Sequence, residues 1–160
     1  LEQEKFIRHY GSLYENSPHI ALAIYEHLRL DTLSPLEILS LMKDYVTKMD
    51  HQSKMNLILE HPELGIKKGQ KNNLTAHSKQ EQNRAGLDNL SGIEYNLLRR
   101  LNKDYMNKFK FPFIIAVSGL NKEEVFRNIQ VRLQNTVETE FVTAIEEIHK
   151  IAEIRLKNLS

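Results

Sequence analysis

The sequence has no cysteine, no excess of charge of either sign and no long apolar run, and each absence removes a class of function. Without cysteine there is no disulfide, no thiolate nucleophile and no cysteine metal site, a composition at ease in a reducing compartment. Basic and acidic residues number 22 and 21, for a formal charge of +1, and they are mixed along the chain. No long-range field therefore steers the protein to nucleic acid or to an anionic membrane, and no basic face interleaved with aromatics is present. The apolar runs are far shorter than the roughly 20 residues of a membrane-spanning helix, and no basic-then-apolar export signal opens the sequence. A soluble, intracellular protein is expected, cytoplasmic because no peroxisomal signal ends the chain, with neither nucleic acid nor membrane as partner.

What is present is helical periodicity. The 160 residues, 41% of them hydrophobic, suffice for one compact domain over 1–160 with a single core. Apolar residues recur at spacings of three and four almost throughout, so the expected fold is all-α, a multi-helix domain with one short extended segment at about 111–117. Helices are expected over Leu1 to Tyr10, ended by Gly11, and over Pro18 to Leu28, opened by Ser17. Ser34-Pro35-Leu36-Glu37 is a capping box that starts a third, and Asp50 to Leu59 forms a fourth that stops before His61-Pro62, since residues preceding proline avoid the α region. Pro62 to Ala76, with its glycines, lysines and adjacent asparagines, reads as a long loop. Ser78-x-x-Glu81 has capping-box spacing and opens a short helix to Ala85; Ser91-x-x-Glu94 opens a longer one to about Phe109; Asn121 caps the next, to Leu133; Thr136 or Thr139 starts the last. Phe111 to Val117 is β-branched and aromatic but too isolated to build a sheet, so its backbone groups must find other partners.

The standard reaction motifs are missing: no glycine-rich phosphate loop, no His-x-x-x-His or His-Glu-x-x-His helix, no Gly-x-Ser-x-Gly elbow. The seven histidines are dispersed, and none pairs at helical ligand spacing, so no metal site is expected. Acid–base chemistry by organic side chains remains. Three segments gather polar or special residues at the ends of elements: His61-Pro62, Ser78 to Gln82, and Phe113 to Val117. A histidine before proline has a fixed exit direction and a pKa suited to proton transfer, although a helix-capping role explains it equally well. Ser78 and Glu81 are readable as a plain capping box or as ligand contacts, and the two are compatible. Arg155 interrupts the apolar stripe of the last helix and needs a carboxylate, whether internal or from a ligand.

Taken in order, Glu60-His61-Pro62-Glu63-Leu64-Gly65, Leu74-Thr75, Ser78-x-x-Glu81-Gln82, Ala85-Gly86-Leu87-Asp88 and Phe109-Lys110-Phe111-Pro112-Phe113-Ile114-Ile115-Ala116-Val117 form a recognisable series. The sequence resembles the 2-oxo-4-hydroxy-4-carboxy-5-ureidoimidazoline decarboxylases over nearly its whole length, including Phe6, Gly11, Glu15, Ser17 and Pro18 near the start and the Arg132-Leu133-Gln134-Asn135 and Ile151 to Leu156 segments near the end. The resemblance implies an all-helical, commonly homodimeric enzyme that forms (S)-allantoin and carbon dioxide from a urate-derived substrate without metal or cofactor. It implies His61 and Glu81 as catalytic residues. It implies substrate binding by Pro62, by Ser78, Lys79, Gln80, Glu81 and Gln82, by Phe113, Ile114, Ile115, Ala116 and Val117, and by Arg155. His19, where many relatives carry tryptophan, and Lys110, where glycine often precedes Phe-Pro-Phe, depart from the pattern and put local packing in question. The alternative is a catalytically silent helical interaction module of the same fold, whose mark would be a broken His61 or Glu81 motif.

Overall fold

The computed structural model describes residues 2–27, 33–65 and 76–159. Among them are eight helices and no strand: α1 Glu2–Tyr10, α2 His19–His27, α3 Pro35–Thr47, α4 His51–Leu59, α5 Ala76–Arg84, α6 Gly92–Phe109, α7 Lys122–Arg132 and α8 Val137–Asn158. The expected ends at Leu1 and Leu28 lie outside the described residues, as does most of the expected loop from Pro62 to Ala76.

Local chemistry sets most helix starts. Ser34, Ser91 and Asn121 each accept the backbone N–H of Glu37, Glu94 and Glu124 with the side chain, while that glutamate accepts the cap's own N–H. Such reciprocal boxes satisfy two of the four orphan donors at a helix start. Asp50 caps α4 and Thr136, of the two threonines considered, caps α8. The Ser78 box is not formed. α5 begins at Ala76, so Ser78 lies within the first turn, and its hydroxyl and the Glu81 carboxylate both serve partners far away in sequence.

α8, the longest helix at 22 residues, packs against α3, α4 and α6, and its inner face carries Ala144, Ile145, Ile148, Ala152 and Leu156. Three ionisable groups, Glu140, Glu147 and Arg155, are buried on that same helix. The turn between α1 and α2 inserts into the core, with Leu13, Tyr14, Glu15 and Ser17 all buried. It is bent by Asn16 in the left-handed region at φ 49°, a conformation asparagine tolerates better than most residues. Asn16 Nδ2 donates to the Glu60 carbonyl and the Ser17 hydroxyl to the Glu15 carbonyl, which ties the turn to the end of α4.

The strip from Phe111 to Val117 is sheetless, and charged side chains answer its polar backbone. Arg132 Nη1 donates to the Ile114 carbonyl at 2.6 Å, and the Ala116 N–H donates to Glu147 Oε1 at 2.9 Å. Arg132 is held in turn by Glu140 through Nε at 2.8 Å, and Glu140 also accepts from the Tyr105 hydroxyl and Asn135 Nδ2.

α6 ends on Lys110 at φ 68°, where its N–H donates to the Met106 carbonyl. A left-handed helix cap favours glycine, and a side chain there costs about 1–2 kcal/mol, partly offset by the freedom glycine restores to the unfolded chain. Lys110→Gly is expected to stabilise the protein by roughly 0.5–1 kcal/mol, read as a higher midpoint in thermal melts.

Candidate active site

The C-terminal end of α4 leaves carbonyls without helical partners, and His61 folds back onto one of them. Its Nδ1 lies 3.0 Å from the Leu57 carbonyl. A carbonyl can only accept, so Nδ1 carries the proton and Nε2 keeps a lone pair. Nε2 is buried without a hydrogen-bond partner among the described residues, and the side chain lines a cavity. Burial pulls the imidazole pKa down to about 4; the Leu57 bond and the charge of Glu15 oppose this and Arg155 reinforces it. His61 is therefore neutral near pH 7, with the Nε2 lone pair left free by the described residues.

Two further segments complete the lining: Ser78, Glu81 and Gln82 of α5, and Phe113, Ile114, Ile115 and Val117 of the strip, together with Pro62, Leu64, Ile151 and Arg155. Not all of the expected residues are among them. Lys79 and Gln80 point outward from α5 and are exposed, because a helix that buries Ser78 and Gln82 turns the intervening positions to solvent. Ala116 faces the other side of the strip, where its N–H is taken by Glu147. Gln82 Oε1 accepts the Gly65 N–H at 2.9 Å, leaving the amide NH2 of Gln82 as its donor group. Gly65 has φ 75° and a Cβ there would collide with Leu98, so glycine is required for this approach.

Arg155 is 1% exposed and lies between two carboxylates. Nε and Nη2 grip Glu81 in a bidentate pair, both at 3.0 Å; Nη2 also donates to Ser78 Oγ at 3.1 Å; Nη1 meets Glu15 Oε1 at 3.0 Å and the Ser12 carbonyl at 3.2 Å. The Ser78 hydroxyl itself donates to Glu15 Oε2 at 2.6 Å. All donors of the guanidinium are thus directed at protein acceptors, and its link to the cavity runs through Glu81. Burial works against the charge of Arg155, but Glu81 and Glu15 outweigh it and hold its pKa above the ordinary value. The sequence leaves open whether the carboxylate for Arg155 is internal or comes from a ligand; it is internal, and reading the sequence pairs Arg155 with neither Glu81 nor Glu15. The signal was available: a lone acid between Leu13-Tyr14 and Ser17-Pro18 in a stretch otherwise fit for the core. Among the described residues no group of three His, Asp or Glu could hold a metal ion, and no helix is long and apolar enough to cross a membrane.

Removing one partner from this cluster leaves uncompensated buried charge. Arg155→Met is expected to destabilise the fold by about 3–5 kcal/mol in denaturant titrations, because Glu15 and Glu81 would then face each other unpaired. The His61 shift has a sign that can also be checked. The imidazole titrates near 6.5 when unfolded and near 4 when folded, so between these values the unfolded state binds more protons and stability falls as pH drops through that window. His149, half-buried beside Tyr14, is pushed down to about 4 by burial and by Lys43 and Lys54, and acts in the same direction. Proton NMR should find the His61 ring resonance still neutral at a pH of about 5.5; a midpoint near 6.5 would contradict the burial.

The chain matches the OHCU decarboxylase family over residues 1–157. It is 33% identical to the 2-oxo-4-hydroxy-4-carboxy-5-ureidoimidazoline decarboxylase of Haloferax volcanii, across 98% of this chain and 89% of that protein. It is 37% identical to the uric acid degradation bifunctional protein of Bacillus subtilis, across 93% of this chain but only 29% of that longer protein. The fold superimposes on the crystal structure of an (S)-allantoin synthase with a TM-score of 0.77 and 26% identity, over 98% of this chain and 50% of that one. With a family match spanning nearly every residue and a full-length relative at this identity, the chain belongs to the OHCU decarboxylase family.

Proposed function

We propose that the protein decarboxylates 2-oxo-4-hydroxy-4-carboxy-5-ureidoimidazoline to (S)-allantoin and carbon dioxide, the step that completes the conversion of urate to allantoin. The observation that carries this reading is the buried, neutral His61 with Nδ1 tied to Leu57 and Nε2 unpartnered at the cavity, beside a Glu81 carboxylate that Arg155 holds in place. As the bond to the departing carboxylate breaks, its electron pair forms a double bond to the neighbouring ring carbon, and the pair of the ring C=N bond moves onto nitrogen. The substrate is its own electron sink, so no Schiff-base lysine is called for. His61 Nε2 takes the proton of the 4-hydroxyl as the resulting enol becomes a carbonyl, and the imidazolium returns a proton to the neighbouring ring carbon from one face, which gives a single hand of product; the ring nitrogen that received the C=N pair takes one proton from solvent, which balances the loss of the carboxylate as carbon dioxide.

Glu81, with both oxygens engaged by Arg155, acts as an anion. It accepts a hydrogen bond from the substrate and crowds the substrate carboxylate, while Glu15 is the carboxylate whose charge favours the transient imidazolium of His61. The Gln82 amide and the strip backbone hold the ureido and ring polar atoms. Lys79, Gln80 and Ala116 have no direct part in this scheme. The reading further includes a homodimer in the cytoplasm, with residues 1–160 as one catalytic domain; the family resemblance supports the first and the continuous hydrophobic core supports the last. A silent interaction module is disfavoured because His61, Ser78, Glu81 and Gln82 converge on one cavity.

The test is circular dichroism of the allantoin formed when purified protein meets freshly generated substrate, whose spontaneous decay gives a racemate. A rapid optical signal is expected, and His61→Ala should lower kcat by about 10²–10⁴-fold while remaining folded. No signal above the blank from folded protein would move the interaction module to first place.

A further inference from the structure

The strip has two sides. Phe113, Ile114, Ile115 and Val117 line the cavity that holds His61 and Glu81, whereas Ile115 and Ala116 also border a separate groove on the α7–α8 side, to which Arg132 and Glu147 belong. Neither Arg132 nor Glu147 lines the first cavity, yet both are buried and both bond to the strip's backbone. Arg132 takes the Ile114 carbonyl, and Glu147 takes the Ala116 N–H.

These two bonds determine the orientation of the residue between them. Among the described residues no peptide bond is cis, and in a trans peptide unit the carbonyl and the N–H point in opposite directions. The unit whose Ile114 carbonyl turns to Arg132 must send the Ile115 N–H the other way. The next unit, whose Ala116 N–H turns to Glu147, sends the Ile115 carbonyl the same way as the Ile115 N–H. In an extended backbone both polar groups of one residue leave on one side, so the two anchors agree with each other. Neither Ile115 group has a hydrogen-bond partner among the described residues.

Resting on the decarboxylase reading, we infer that Arg132 and Glu147 are positioning residues that turn two peptide planes of the strip so that Ile115 presents its N–H and its carbonyl together to the cavity, as a paired donor and acceptor for the urea or amide edge of the substrate. An isolated strip has no neighbouring strand to fix its peptide planes, and buried charges do so here. Arg132 is locked by Glu140 and by the Phe113 ring, 4.4 Å beneath its guanidinium carbon, and Glu147 keeps its other oxygen on Lys150 at 2.7 Å. The pair is set before the ligand arrives, so little ordering is left to oppose binding.

The test compares Glu147→Gln, which keeps an acceptor for the Ala116 N–H, with Glu147→Leu, which does not, and with Lys150→Met as a control that spares the contact. Steady-state kinetics on freshly generated substrate should show KM raised about ten-fold in Glu147→Leu, since a hydrogen bond to a charged group is worth roughly that factor or more, with kcat within about three-fold. Glu147→Gln and Lys150→Met should keep KM near that of the unmutated protein. An unchanged KM in Glu147→Leu, or equal damage in Glu147→Gln, overturns the inference. Should Glu147→Leu not fold, amide NMR of the unmutated protein decides: saturating (S)-allantoin should shift the Ile115 N–H and leave the Ala116 N–H in place, and the reverse pattern overturns it. An inactive unmutated protein would instead sink the decarboxylase reading, while slow exchange of the Ala116 amide, kept in Glu147→Gln, would still uphold the clamp and fast exchange would refute it.

Discussion

The constraint on which the rest depends is the burial of one positive charge. Taking a guanidinium out of water costs several kcal/mol, recovered only when its donors all find acceptors of the right sign and geometry. Arg155, on α8, finds them in two places distant in sequence: the α1–α2 turn with Ser12 and Glu15, and the first turns of α5 with Ser78 and Glu81. Replacing such a cluster by apolar side chains is often neutral or stabilising in other proteins, so stability alone is a poor reason for it. Its physical yield is position: it fixes where a carboxylate stands relative to the lone pair of His61.

A second buried charge network lies across the strip. Arg132 and Glu140, with Tyr105 and Asn135, hold the strip from the α7–α8 side just as Arg155 organises the cavity side. α8 supplies Glu140, Glu147 and Arg155, seven and eight residues apart, so one helix face passes beneath both networks. One polar network thus lines the cavity, and the other holds the strip from its far side.

Helix starts were the most legible feature, because a capping box is a contact among residues three apart and needs nothing from elsewhere. Ser34, Ser91 and Asn121 behave as their local chemistry dictates. Ser78 and Glu81 have the same spacing and do something else, since only a partner 74 residues further on, Arg155, distinguishes the two outcomes. His61 was legible through the proline that follows it. Glu140 and Glu147 were not, because a buried acid looks like any surface acid until its distant partner is known. The resemblance supplied the segments of the site but not which side each residue faces, which is why Lys79, Gln80 and Ala116 were grouped with residues that reach the cavity. Helical rotation turns Lys79 and Gln80 away, and Ala116 borders the groove on the other side of the strip.

α5 has the sequence of a solvated helix, Ala-His-Ser-Lys-Gln-Glu-Gln-Asn-Arg, with no large apolar side chain to seat it. It is docked by Ser78, Glu81 and Gln82, the residues that also furnish the cavity. Selection for turnover and selection for a soluble, protease-resistant chain therefore act on the same side chains. A descendant that lost Ser78 or Glu81 would loosen α5 along with its reaction, whereas one that lost only His61 would keep the helix docked.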